Sequence, residues 1–253
     1  MRLSLPLPLV GYLFSMLVTP SIALAGDNPA EFAIRWNPEV GGLKTPEEVV
    51  KLLNLPADDV DKDDYAVSYF SIDKPIDVPT GYSVIARQRI KKKKTQLTIK
   101  YRGDQPLPNT YNPKSWQCPL GSEAEAKYEV DVALLADQKT KKAFSLSCSV
   151  EAKEAISFPN SLNATQTGSV STMVRYSAKG VKKGIKIEEW TFKPCGEKIE
   201  EKMEEKMLEV SKPGVDNEAD LAAFTTEIAA KLLLSGIVPL DSSKSFTGAD
   251  CKQ

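Results

Sequence analysis

"ARQRIKKKKTQLTIKYRG", residues 86–103, carries eight cations in eighteen residues of a chain whose formal net charge is −1. Arg87 and Arg89 stand two apart before the lysine run, and Lys100 and Arg102 stand two apart after it. Residues two apart on a strand share a face. On the first arm Val84, Ala86 and Ile90 alternate with Ser83, Ile85, Arg87 and Arg89. On the second, Leu97, Ile99 and Tyr101 alternate with Gln96, Thr98, Lys100 and Arg102. The stretch therefore reads as a β-hairpin with one mainly apolar face and one cationic face, and Lys91 to Lys94 as its solvated turn.

The same alternation recurs along the chain. "EFAIRW" (31–36) sets Phe32, Ile34 and Trp36 against Glu31, Ala33 and Arg35, and "KYEVDVAL" (127–134) sets Tyr128, Val130 and Val132 against Glu129 and Asp131. "DDYAVSYFSID" (63–73), "AFSLSCSV" (143–150), "STMVRYSAKG" (171–180), "IKIEEWTF" (185–192) and "LEVS" (208–211) read as further strands. Arg175 and Glu209 are the charges of two of them. The phase of 185–192, and so the facing of Lys186, Glu188 and Glu189, is left open by the pattern. "TPEEVVKLLNL" opens a helix with a Thr45 N-cap, Pro46 in the first turn and Glu48 closing a capping box. "EKIEEKMEEKM" (197–207) spaces Ile199, Met203 and Met207 as a short helix but is left open as an exposed helix or an extended strand, and a last helix starts near Asp216 or Asn217 and stops at Gly236.

Eight or so short strands with a few helices predict an α+β fold: an antiparallel β-barrel, tunnel-like, with flanking helices. In a sandwich the alternating charges would face water. A wide barrel whose apolar outer faces are covered by helices would instead gather them into one lumen, where confined charges interact more strongly than on an open surface.

Composition removes several chemistries. The chain has no histidine, which excludes Ser-His-Asp and Cys-His catalysis and His-ligated zinc. The lysine run lacks the interleaved aromatics of a single-strand nucleic-acid platform, and the remaining chain is not basic, so no nucleic-acid partner is expected. Residues 1–25 read as a secretory signal peptide, with Arg2, an apolar stretch from about Leu9 to Val18 and Ala23-Leu24-Ala25 at the cleavage point. No later stretch is long enough to span a membrane as a helix. The expectation is an exported chain, periplasmic or extracellular, whose residues 26–253 form a single barrel domain. In that setting Cys118, Cys148, Cys195 and Cys251 favour two disulfides over metal binding, with the pairing open among three possibilities.

The order of segments resembles the CYTH domain, the fold of the triphosphate tunnel metalloenzymes. "EFAIR" resembles that family's opening Glu-x-Glu-x-Lys strand, "ARQRI…QLTIK" its Arg-x-Arg…Leu-Thr-x-Lys hairpin and "KYEVDV" its next Glu-x-Glu strand. "DDYAVSYFSIDKP" resembles its Tyr-Phe-Asp-Thr-Pro segment, and "LEVS" with "GIVPLDSSKSF" its late acidic strand and Ser-Lys ending. The match runs from about Glu31 to Phe246. The resemblance implies a triphosphate- or polyphosphate-type anion held by Arg35, Arg87, Arg89, Lys100, Arg175 and Lys244. It also implies Mg²⁺ or Mn²⁺ on Glu31, Glu129, Asp131 and Glu209, with hydrolysis of the bound anion as the associated chemistry; no catalytic residue is assigned. Two departures stand out. Ala33 replaces the second glutamate of the opening strand, and Arg35 replaces its lysine. The missing carboxylate weakens a site for a hard divalent cation, so a non-catalytic anion binder on the same barrel, or an exported interaction protein, are the alternatives.

Overall fold

The computed structural model describes residues 28–73, 78–108, 116–137, 139–193 and 204–241. Nine strands close into a barrel: β1 (Pro29–Trp36), β2 (Val60–Ile72), β3 (Ser83–Lys91), β4 (Lys94–Gly103), β5 (Glu125–Leu134), β6 (Thr140–Ala152), β7 (Ala164–Ala178), β8 (Lys186–Phe192) and β9 (Glu205–Val215). Their order around the wall is β1-β5-β6-β4-β3-β2-β7-β8-β9. Every neighbouring pair is antiparallel except β1 with β5, which is parallel. The segment expected to be a signal peptide (1–25), Lys244, Cys195 and Cys251 lie outside the described residues.

The hairpin forms as its alternation requires, with one adjustment. Only Lys92 and Lys93 make the turn, and Lys92 takes a φ of +52°. Lys91 and Lys94 close the ladder as partners. Their ammonium groups reach Asp63 at 2.6 Å and Glu151 at 2.7 Å. Of the two readings of 197–207, the last three residues take the strand. Glu205 to Met207 open β9, where Met207 pairs with Trp190 of β8; the ladder and the burial of the Met207 side chain outweigh helical spacing. Most of that segment lies outside the described residues.

Two apolar layers coat the barrel's outside. On one side Phe32, Ile34, Val130, Ile187 and Val210 project from the wall into a core shared with Val49, Phe224, Ile228 and Leu232 of the flanking helices. The first of these, α1 (Pro46–Leu52), has the expected capping box, in which the Thr45 side chain accepts from the Glu48 backbone amide and Glu48 accepts from the Thr45 amide. The last helical stretch, α2 (Glu218–Phe224), is capped by Asn217 and passes through a π-helical turn into α3 (Ala230–Leu234). On the other side, Ile99, Leu146 and Cys148 of the wall pack against Phe158, Leu162 and the loop carrying Trp116. A disulfide between Cys118 and Cys148 fastens that loop to β6. With the outer faces so covered, the opposite face of each strand lines the lumen. Nine strands leave that lumen wider than side chains alone fill in an eight-stranded barrel.

Candidate functional site

The lumen holds a cavity of about 190 Å³ whose wall carries eight cationic and four acidic side chains. Most of the charges expected to share a lumen line this one cavity; Glu209 is not among its lining residues. Glu31 and Arg35 of β1, Arg87 and Arg89 of β3, Lys100 of β4, Glu129 and Asp131 of β5 and Arg175 of β7 all face this space. Four charges not assigned from the sequence join them: Arg102, Lys127, Lys186 and Glu188. Arg102 follows Lys100 at strand spacing, and Lys127 precedes Glu129, so both were on the charged face of their arms. Lys186 and Glu188 needed the register. Glu188 is the partner of both Arg175 and Glu209, and Lys186 that of Ser211.

Exposure shows which end is open. Side-chain exposure falls from 59% at Lys127 and 37% at Lys186 to 9% at Arg35 and 3% at Glu188. Beyond that level the strand faces that line the lumen turn apolar. Val67, Tyr69, Met173, Trp190, Phe192 and Met207 pack into one buried cluster. Among the described residues this apolar cluster lies beyond the deepest charges of the cavity, inside a barrel of the tunnel-like form that the strands predict. Trp190, two residues beyond Glu188 on β8, belongs to this cluster, and its indole N–H donates to Glu188 at 2.9 Å.

Most of the charges are committed to one another. At the deepest level, Arg35 Nε donates to Glu209, its register partner across β1 and β9. Burial opposes the Arg35 charge, yet Glu209 beside it leaves the guanidinium pKa raised. Arg175 forks onto Glu188 Oε1 at 2.6 and 2.8 Å. Lys100 contacts Glu129 at 3.2 Å and Asp131 at 3.0 Å, and Asp131 also meets Arg102 at 3.4 Å and the Ser145 hydroxyl at 3.1 Å. Burial would push the Asp131 carboxyl up, but Lys100 and Arg102 together hold it well below the usual carboxylate range. Nearer the mouth, Lys186 donates to Glu31 at 3.2 Å, and Lys127 reaches Glu129 at 2.5 Å.

Two cations stand apart. Among the described residues neither Arg87 nor Arg89 makes an ion pair, and the Nε atom of each is buried with no hydrogen-bond partner. A buried donor left unmade is costly, more so when charged. Burial, and then the neighbouring Arg87, lower the Arg89 pKa to about 9. Its guanidinium carbon lies 5.9 Å from the centroid of the Trp190 ring, a contact that offsets part of this cost.

The expected divalent-cation set behaves differently. Mg²⁺ and Mn²⁺ need several oxygen ligands at once. Glu31 and Asp131 are register partners across β1 and β5, but they turn to different cations, Lys186 and Lys100. Glu129 and Glu209 are engaged likewise, and Ala33 brings no oxygen. Among the described residues no three acidic, histidine or cysteine side chains are grouped to hold a metal. As placed, Glu31, Glu129, Asp131 and Glu209 do not fit a divalent cation.

No protein-family model and no curated protein matches the chain. Among solved structures it is similar to a Pyrococcus horikoshii protein, at 12% identity and a TM-score of 0.42, over 86% of this chain and 96% of that one. A Hippeastrum protein described as an adenylyl cyclase candidate with a dominant triphosphatase activity matches at 11% identity and a TM-score of 0.44, over 86% of this chain and 92% of that one. A candidate adenylate cyclase from Bacillus halodurans matches at 12% identity and a TM-score of 0.41, over 87% and 97% of the two chains.

Proposed function

We propose that this protein binds an anion of the triphosphate or polyphosphate type in the barrel lumen, with Arg87 and Arg89 as the principal ligands. The observation that carries the reading is the pair of buried, unpartnered guanidinium nitrogens in a wall where cations outnumber acids eight to four. Phosphoryl oxygens suit a guanidinium fork, which donates two parallel hydrogen bonds to them. The size of the space favours a compact ligand. About 190 Å³ is below the range usual for pockets that enclose drug-sized molecules, so a terminal run of phosphates enters and any larger remainder stays outside the mouth.

Within this reading, binding is favoured over hydrolysis. The carboxylates that would activate water are each tied to a cation, and the low pKa of Asp131 makes it a poor general base. Export is part of the proposal. It draws support from the signal-like segment 1–25 and from a disulfide, which persists in oxidising compartments. The test is calorimetric titration with tripolyphosphate beside a phosphate-release assay: saturable binding without turnover is expected, and absence of binding refutes the reading.

A further inference from the structure

We propose that the cavity takes its anion without a divalent metal, because the protein's own ammonium and guanidinium groups already hold the carboxylates that a metal would need. The inference rests on the polyphosphate-type reading above and adds how that site balances charge. Lys186 reaches from β8, across the intervening β9, to Glu31 of β1 at 3.2 Å, while Ser211 of β9 donates to the same carboxylate at 3.3 Å. Lys127 does the same for Glu129. Each is a protein cation that already neutralises an acid which a bound metal would otherwise need.

Three physical consequences follow. A divalent ion entering this site must first break at least two of these ion pairs, and the released ammonium groups then face it in a confined, partly desolvated space. The ion would also add two positive charges to a wall that is already cation-rich and holds two unpartnered guanidinium nitrogens. Finally, Ala33 holds the lumen-facing position between Glu31 and Arg35 and is itself 2% exposed, so β1 contributes one carboxylate to the cavity wall. The anion therefore meets guanidinium and ammonium groups directly, with no bridging ion.

The deciding experiment is titration of tripolyphosphate into the signal-free chain, once in EDTA and once in excess Mg²⁺ or Mn²⁺. The expected result is full binding in EDTA and weaker binding, by severalfold, in Mg²⁺, because the chelated ligand presents less negative charge. Binding that appears only with metal, or that is tenfold tighter with it, overturns this inference while leaving the polyphosphate reading in place. No binding in either buffer overturns both. Two further readouts bear on it independently. Mn²⁺ added to the ligand-free protein should keep its free-ion electron paramagnetic resonance signal, and loss of that signal counts against the proposal. Lys186→Ala exposes Glu31, so its affinity in EDTA should fall and be partly restored by Mg²⁺; an affinity in EDTA equal to the parent's refutes the counter-cation role of Lys186.

Discussion

Arg35 and Glu209 are register partners on β1 and β9, and their side chains join in an ion pair deep in the barrel, 9% and 1% exposed. Both groups are largely withdrawn from water, so each is tolerated chiefly because the other is present. Glu209→Ala is expected to destabilise the fold by about 3–5 kcal/mol, since it strands a buried guanidinium. A Glu209→Ala chain whose thermal midpoint stays within a degree or so of the parent's would contradict this.

Removing the unpartnered cations should do the opposite. Arg87→Ala with Arg89→Ala deletes two close like charges, one of them deeply desolvated, so the fold should hold or gain stability. Tripolyphosphate binding should disappear. Unchanged affinity by calorimetry would refute the assignment of these two residues.

The lowered pKa of Arg89 fixes a pH window. Its folded value, about 9, lies well below the ordinary arginine range, so above pH 9 the unfolded chain holds the proton more tightly than the native one. The burial cost is fully present below pH 9, and the Arg89 contribution to stability becomes less unfavourable as pH rises through it. Anion affinity runs the other way: flat near neutrality, it should fall by up to about tenfold per pH unit above 9 as the charge is lost. Titrations between roughly pH 7 and 10 check this, and a flat profile across that range would exclude Arg89 as a ligand.

The disulfide lies on the outer face. Cys118 and Cys148 are 30 residues apart, a loop for which closure stabilises by roughly 3–4 kcal/mol. Cys148→Ser should lower the thermal midpoint strongly yet leave the affinity of the folded protein for tripolyphosphate unchanged, because Cys148 packs among the outer apolar residues and not in the lumen. A large loss of affinity in the folded variant would place the loop in the site.

At the hairpin tip, Lys92 occupies the left-handed region at φ +52°, where a Cβ costs about 1–2 kcal/mol. Lys92→Gly is expected to raise stability modestly, by up to about 1 kcal/mol, with ligand binding unaffected. Denaturant unfolding measures it; a loss of stability would show that the lysine side chain contributes more than its backbone costs.

Strand periodicity alone locates the wall and says which residues of a strand share a face, which is why Arg87, Arg89, Lys100, Glu129 and Asp131 were legible as one charged surface before any coordinates. A period of two carries no sign, however. Whether that face looks inward depends on closure of β9 onto β1 and on the helices and the disulfide-held loop that cover the opposite face. Lys186 and Glu188 were missed for a related reason. Trp190 and Phe192 share their face, so β8 is charged at one end of the lumen and apolar at the other, and only the register with Arg175 and Glu209 resolves it. The choice of partner for each charge was not legible at all, since Lys186 finds Glu31 across 155 residues of chain. The sequence by itself determined most of the strands, which residues of those strands share a face, and the sign of the charge there. Tertiary structure decided that these faces enclose a cavity, that its acids are held by its own lysines and arginines, and that Arg87 and Arg89 remain over. The physical reason is that pairing between charges is set by distance in space, and the barrel brings together side chains that the chain keeps far apart.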